Sequence, residues 1–446
     1  MIVPAKGVKQ HSVRNWRTFV QAAQAYEGEC EILFCVEDKN DPAFRAVKEE
    51  LPENRRQEAE YATQVGVKVC SRARTCSQKL HNIISGIDGL RVAGKAEGNS
   101  SSVDWDYVLF LDDDVKMHDR LLDNLVDTLE QNEEAFMCTA YPFDVPALES
   151  GLVSYCVAAY HLRLIIAFSL GYTTTFVWGG CMLYRKRDLI QDAHKLVSSW
   201  RNGGYSDDLI ASSICQANKL TIMCNPSSVL LQELPKHTTF KQYWNYMSRQ
   251  VFVLDTYTSG WHKVLNHMLI GIHTYLSILF ILSMALNMYR YVYVFFKIVA
   301  FLVNVSTTHS EVYQYSIRHT YVTVMQWAVR YFSAISFFAF FVFAVSSLRG
   351  LFEAMDNLFT ELYGESYVSN SRVQNVPHKL NRKDVPMSYS LRWSWWQHAC
   401  IWVAFCIDVM LFVPAAIKAL CTEEIEWSGV KYWKKDGLVS KVEHSS

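Results

Sequence analysis

Residues Trp105–Leu125 read WDYVLFLDDDVKMHDRLLDNL, and the acid triplet in the middle organises the reading of everything around it. Tyr107 to Leu111 form an apolar run of strand length, and from His118 onward leucines recur at helical spacing. Asp112, Asp113 and Asp114 therefore fall on the turn between a buried strand and a helix. Ligands of open α/β sheets bind at the carboxyl ends of the strands, and a D-x-D pair there suits a hard divalent cation bridging two phosphates. Asp112 and Asp114 are the candidate metal ligands, for Mg2+ or Mn2+.

Working outward, the same alternation of strand and helix recurs. Ile2–Val3 start a strand, Ser12 to Ala25 carry a helical pattern, and Ile32 to Val36 form a second strand that ends in Glu37 and Asp38. Asp41-Pro42 starts the next helix by N-cap and first-turn proline logic. A strand is expected over Val65 to Val69, followed by a helix headed by Gln78, Lys79, Leu80, His81 and Asn82. After the triplet, Ala135 to Tyr141 read as a strand and Ser154 to Leu170 as a helix. The segment TTFVWGGCMLYRKRDL reads as a strand whose Gly179-Gly180 pair implies a close approach of the backbone to a ligand or a neighbouring strand. In GGYSDDL, Asp207 and Asp208 stand in the first turn of a helix, where the partly positive amino end accommodates carboxylates. Strands alternating with helices predict a mostly parallel sheet.

Composition changes near residue 260. The chain has 446 residues and a formal net charge of −1, with no basic tract, so nucleic acid is not expected as a partner. The 12 cysteines are scattered, with neither a C-x-x-C nor a zinc-type spacing to histidine, which argues against a structural zinc site or a disulfide framework. Apolar runs at Val264–Leu286, Tyr293–Val305, Tyr331–Ser347 and Ile401–Leu420 predict three or four membrane crossings. The chain opens at Met1 directly into strand-like sequence, so targeting is expected from a later segment or from residues that precede it. Expected boundaries are a catalytic domain over 1–240, an amphipathic interfacial region over 241–262, membrane helices over 263–420 with a polar loop over 348–394, and a tail over 421–446. Lys434, Lys435 and Lys441 favour a cytosolic end.

Four features thus line up in order: Asp38 after a strand, Asp112 and Asp114 after another, the Gly179-Gly180 strand, and Asp207-Asp208 opening a helix. A nucleotide-sugar transferase needs an acid near the nucleotide, a D-x-D for metal on the diphosphate, and a separate carboxylate base across the sugar. The stretches VEDKNDPA, LDDDV, FVWGGCM, GGYSDDL and KQYWNYMSRQVFVLDTY resemble the ceramide glucosyltransferases, the plant and algal type above all, within the inverting GT-A transferases. The resemblance runs from about Pro4 to Tyr257 and implies an α/β GT-A nucleotide-sugar-binding domain followed by a helical transmembrane region. It implies transfer of glucose from UDP-glucose to ceramide in the bilayer with inversion, on the cytosolic face of the endoplasmic reticulum or Golgi. By resemblance, Asp38 matches the first acid of the pattern, Asp112 and Asp114 the D-x-D, and Asp208 the base. A raised Asp208 pKa, from the charge of Asp207 beside it, would suit that role.

Lys79 and Asn82 are candidates to contact the nucleotide or to frame the sheet, Gly179 and Gly180 to line the donor site, and Asp207 to support the base. The Q-x-x-R-W motif that the resemblance associates with animal members and polysaccharide synthases is only partly matched, because Tyr246-Met247-Ser248-Arg249-Gln250 occupies its place, with Arg249 retained and the Gln and Trp absent. That departure argues against a processive polysaccharide synthase and leaves Arg249 as a diphosphate contact or an interfacial anchor. Asp408, inside an apolar segment, is expected to pair with Arg330 or a backbone group; were the chain a lipid or solute carrier with an inactive front domain, it would be central. Other lipid glycosyltransferases stay open as alternatives.

Overall fold

The computed structural model describes residues 1–51, 64–95, 105–147, 149–162, 165–307, 335–336, 338–339, 342–343, 346–363 and 394–444. Fourteen strands among them are β1 (Ile2–Pro4), β2 (Glu31–Val36), β3 (Gln64–Val69), β4 (Tyr107–Leu111), β5 (Val115–Lys116), β6 (Ala135–Thr139), β7 (Tyr141–Pro146), β8 (Thr173–Thr174), β9 (Cys181–Arg185), β10 (Thr221–Met223), β11 (Val229–Leu234), β12 (Glu424–Trp427), β13 (Val430–Lys435) and β14 (Leu438–His444). The central sheet has the order β3-β2-β1-β4-β9-β6-β10-β8. Pairing is parallel from β3 through β4 and between β6 and β10, while β9 runs antiparallel to both of its neighbours and β8 antiparallel to β10.

The period of two places successive side chains on opposite faces. Val3, Phe34, Leu109 and Leu111 pack under helices α1 (Ser12–Ala25), α2 (Pro42–Glu50) and α4 (Leu121–Glu130), together with Trp16 and Phe19. Ile2, Cys35, Val108 and Phe110 face the other way, toward Leu80, Ile83 and Ile87 of α3 (Gln78–Lys95) and toward Trp200 and Ile210. Both faces being covered, the central strands read as unbroken apolar runs. The expected strand Ala135–Tyr141 is two strands that break at Ala140, so that β7 leaves the main sheet and pairs with β11 and β5 in a second one. The helix expected over Ser154–Leu170 is likewise two pieces, α5 (Leu152–Leu162) and α6 (Ile165–Ser169). Gly179 and Gly180 lie in the turn before β9 rather than within it.

Helix α9 (Asp207–Asn218) begins at an N-cap serine, Ser206, and α10 (Phe240–Leu254) at a capping box of Thr239 and Gln242. Among the described residues, two helices are long and apolar enough to cross a membrane, in Gly260–Lys297 and Trp395–Cys421. The separate crossings expected at Val264–Leu286 and Tyr293–Val305 are one continuous helix, Gly260–Thr307, because no proline or glycine breaks the segment between them. Its 48 residues correspond to ~72 Å at ~1.5 Å per residue, against an apolar bilayer thickness of about 30 Å. Most of the Tyr331–Ser347 segment, and Arg330, lie outside the described residues.

Two expected connections have structure of their own. Residues 348–363 of the anticipated polar loop are helical. Phe352 and Phe359 stand edge-on to Phe143 of β7, and Tyr363 donates to the Lys116 carbonyl at 2.8 Å. The anticipated tail folds into the antiparallel meander β12-β13-β14. Ser428 and Gly429, then Asp436 and Gly437, all have positive φ, the requirement of the two-residue turns whose twist matches a hairpin. Asp408 in the helix Trp395–Cys421 is fully buried and accepts from the Tyr243 hydroxyl at 2.9 Å. All 12 cysteines are free thiols.

Candidate active site

The acid triplet emerges at the carboxyl end of β4, where Asp112 N–H donates to the Gly180 carbonyl at 3.0 Å and ties the triplet to the turn before β9. Trp16 of α1 donates its indole N–H to the Asp113 carbonyl at 2.9 Å, fixing the other side of the turn. Two ammonium groups sit among the acids. Lys79 in the first turn of α3 reaches Asp112 Oδ1 at 2.7 Å, Asp207 Oδ2 at 2.9 Å and the Gly179 carbonyl at 3.0 Å. Lys9 reaches Asp114 Oδ2 at 3.0 Å and Asp113 Oδ1 at 3.6 Å. One lysine therefore joins D-x-D, glycine turn and α9 into a single cluster.

Ser206, Asp207 and Asp208 divide their work. Ser206 Oγ accepts from Leu209 N–H at 3.3 Å and donates to Asp208 Oδ1. Asp208 also accepts from Leu209 N–H at 2.8 Å and from Gly179 N–H at 3.3 Å. Asp207 is 5 % exposed and Trp200 donates to its carbonyl at 3.1 Å. Gly179 has to be glycine: a Cβ there would stand 2.7 Å from Asp207 Oδ1 and 2.9 Å from its Cγ. Gly180 is needed because the Trp178 ring folds over it. The close approach expected at the glycine pair is thus made by protein side chains.

Crowded acids behave as burial dictates. Burial pushes Asp113 up to about 7 and Asp207 up to about 6, in the second case against the pull of Lys79. Burial also raises Asp112, whereas burial acts against Asp114 but Lys9 overcomes it and holds that carboxyl low. For Lys79 burial opposes the charge, yet Asp112 and Asp207 together outweigh it and raise the pKa. The group at raised pKa beside the glycine turn is therefore Asp207, through burial first and the charge of Asp208 only afterwards.

Other candidates are dispersed. Asp38 is exposed in the turn after β2 and accepts from Asn40 N–H at 2.7 Å. Its neighbour Glu37 is the buried acid at that strand end, in contact with Lys6 at 2.8 Å, Arg72 at 3.3 Å and His444 at 3.1 Å. Asn82 donates to the Cys35 carbonyl at 3.0 Å and so frames the end of β2. Arg249 lies with its guanidinium carbon 4.0 Å from the centre of the Trp427 ring.

Sequence reading missed a further array. Asp144 of β7 binds His161 Nδ1 of α5 at 2.6 Å, and His161 Nε2 meets the Tyr246 hydroxyl of α10 at 2.7 Å. Asp144 is buried and its carboxyl is shifted up by that burial, with the charge of Asp114 a smaller contributor. Nothing in the local sequence joins the three, since they come from three separate elements.

The sequence model of Glycosyl transferase family 21 matches residues 1–192. No curated protein matches. Among solved structures, mannosyltransferase PcManGT from Pyrobaculum calidifontis in complex with GDP-Man and Mn2+ is 13% identical, with 57% of this chain and 61% of that one covered and a TM-score of 0.34. Glucosyl-3-phosphoglycerate synthase from Mycobacterium tuberculosis, in complex with Mn2+, UDP and phosphoglyceric acid, is 13% identical over 56% of this chain and 75% of its own, with a TM-score of 0.30. S. aureus TarS 1-349 in complex with UDP-GlcNAc is 11% identical over 59% and 68%, with a TM-score of 0.31. The chain spans 61% of the length of the mannosyltransferase. The architecture is an α/β domain with a mostly parallel sheet carrying the D-x-D at the end of β4, followed, among the described residues, by two long apolar helices.

Proposed function

We propose that this chain is a membrane glucosyltransferase that moves glucose from UDP-glucose to the primary hydroxyl of ceramide with inversion, yielding glucosylceramide. The observation that carries the reading is the cluster in which Lys79 joins Asp112 of the D-x-D to Asp207 beside Asp208. A donor-side pair of carboxylates and a separate helix-borne carboxylate are thereby held together across the glycine turn. The family 21 match supports the reaction class.

Asp112 and Asp114 fit a hard divalent cation. Lys79 takes Oδ1 of Asp112 and Lys9 takes Oδ2 of Asp114, so each carboxylate retains a second oxygen. Among the described residues no group of three or more potential ligands could hold a metal alone. Asp112 and Asp114 would hold such a cation, Mg2+ or Mn2+, together with a bound diphosphate. When bound, the cation neutralises charge developing on the departing diphosphate.

Asp208 accepts the proton of the acceptor hydroxyl while that oxygen attacks the anomeric carbon and the bond to UDP breaks on the opposite face. Hydrogen bonds from Ser206, Leu209 N–H and Gly179 N–H orient its carboxylate. Asp207 and Lys79 keep the base and the D-x-D in register. Asp38 at the exposed end of β2 serves the nucleotide, with Asn82 holding that strand end, and Arg249 serves the diphosphate. Large apolar side chains exposed along Gly260–Thr307, among them Leu276, Leu279, Leu282 and Phe296, support a bilayer around this helix. We assign the catalytic domain to the cytosolic face of the Golgi or endoplasmic reticulum.

The test uses membranes from cells lacking their own glucosylceramide synthesis, with labelled UDP-glucose and ceramide supplied. Wild type is expected to label a single lipid in a divalent-dependent manner, and Asp208→Asn to lose at least about a hundredfold of that rate. Absence of labelled lipid from membrane-inserted wild type would sink the ceramide assignment.

A further inference from the structure

The C-terminal meander touches the site at several points. Val439 N–H donates to the Gly203 carbonyl at 2.8 Å, just upstream of Ser206-Asp207-Asp208. The Tyr432 hydroxyl accepts from Gln78 N–H at 3.2 Å, beside Lys79. Tyr432 also stands edge-on to Tyr205 at 5.2 Å between centroids, and Tyr205 directly precedes Ser206. Trp427, at the end of β12, presents its face to Arg249 of α10. The turn Ser428-Gly429 pins that ring in place, since it fixes the pairing of Trp427 with Val430.

Arg249 is held almost wholly by neutral groups. Its guanidinium stacks on Trp427, with Cζ 4.0 Å from the ring centre, and its charge partly offsets the burial that raises the pKa of the nearby Tyr205 phenol. Among the described residues no carboxylate pairs with it. Lys9 and Lys79, by contrast, are both engaged by acids of the cluster. An arginine fixed by aromatic rings with no anion of its own is a preorganised contact for a ligand anion. The residue after it is Gln250, so the chain supplies the stacking ring from its far end instead of from the adjacent position.

We propose that Trp427 is a positioning residue of the donor site, acting through Arg249, and that the C-terminal sheet is therefore part of the active centre. The ring face holds the guanidinium plane toward the diphosphate, and Tyr205 links that arrangement to the turn carrying Asp207 and Asp208. This rests on the reading of the chain as a nucleotide-sugar transferase.

The full chain, solubilised in detergent with Mn2+ present, is titrated with UDP and separately with UMP. Trp427→Leu is expected to weaken UDP binding about three- to thirtyfold, the range of a partly desolvated cation–π contact. UMP, which lacks the second phosphate, shifts by less than about twofold, a split that general loosening of the fold does not produce. Trp427→Phe restores most of the affinity, Arg249→Ala reproduces the loss, and the double variant is no worse than Arg249→Ala alone. Should Trp427→Leu not fold, Arg249→Lys carries the test, because it keeps the charge but loses the planar stack, and it is expected to lose UDP-over-UMP selectivity. Unchanged UDP affinity, equal losses for UMP and UDP, or additive losses in the double variant would overturn the proposal. Wild type that binds UDP yet makes no glucosylceramide sinks the proposed acceptor while this test proceeds; wild type that binds no nucleoside diphosphate overturns both.

Discussion

Gly179→Ala puts the site's central geometry under test with one methyl group. The new Cβ would stand 2.7 Å from Asp207 Oδ1 and 2.9 Å from both Cγ and Oδ2. Ordinary contact with carbon begins near 3.4 Å, so the carboxylate must retreat by roughly 0.5–0.7 Å. It has little room to do so, being 5 % exposed and joined at 2.9 Å to a lysine that is itself fastened to Asp112 at 2.7 Å. Retreat along the Lys79 direction stretches that contact to roughly 3.5 Å, beyond useful hydrogen-bonding range. Overpacking of this kind costs about 1–3 kcal/mol. Felt at the reacting groups, the same 1–3 kcal/mol is about a 5- to 150-fold loss of kcat/KM. The assay is label transfer to lipid in membranes normalised to inserted protein, with Gly171→Ala as control because its Cβ would meet nothing within 4 Å. If Gly179→Ala retained more than half of wild-type activity, or the control lost as much, the account of the glycine turn would be wrong.

Three further outcomes are expected. Chelation of divalent cations abolishes transfer, and Asp112→Asn raises the metal concentration needed for half-maximal rate by about tenfold or more, read by titrating Mn2+ back; equal metal dependence in variant and wild type would contradict the D-x-D assignment. Burial holds His118 down to about 4 against an ordinary 6.5, so the unfolded chain takes up the proton first as pH falls. The stability tied to neutral His118 is then complete above pH 6.5 and lost on acidification toward 4, by about 3 kcal/mol. The drop in Tm from pH 7 to 5 therefore shrinks in His118→Gln, and an undiminished drop would refute the assignment. Tyr243→Phe removes the 2.9 Å hydroxyl bond to fully buried Asp408, costing about 1–3 kcal/mol; an unaltered Tm would show that this bond is not what holds α10 to the last long helix.

Much of the site could be read along the chain because its groups are announced locally. Apolar runs ending in acids placed Asp112 to Asp114 at a strand end, and a serine followed by two acids gave the start of α9, since strand burial and helix capping depend on near neighbours. The meander is announced too, by Asp436-Gly437 between alternating residues, yet a charged terminus carries no obvious core and so reads as a tail. Its apolar face exists only against Tyr205, Phe252 and the helices beside them.

Strand and helix order, the acid triplet, the paired acids of α9 and the long apolar segments were all determined by the sequence itself, because periodicity and capping are written within a few residues. Tertiary structure alone decided that Lys79 spans Asp112 and Asp207, that Glu37 rather than Asp38 is the buried acid at β2, that Asp144, His161 and Tyr246 meet, and that Trp427 covers Arg249. These contacts join residues from separate elements, and their geometry is set by how the sheet, α10 and the C-terminal strands pack, which no local pattern encodes.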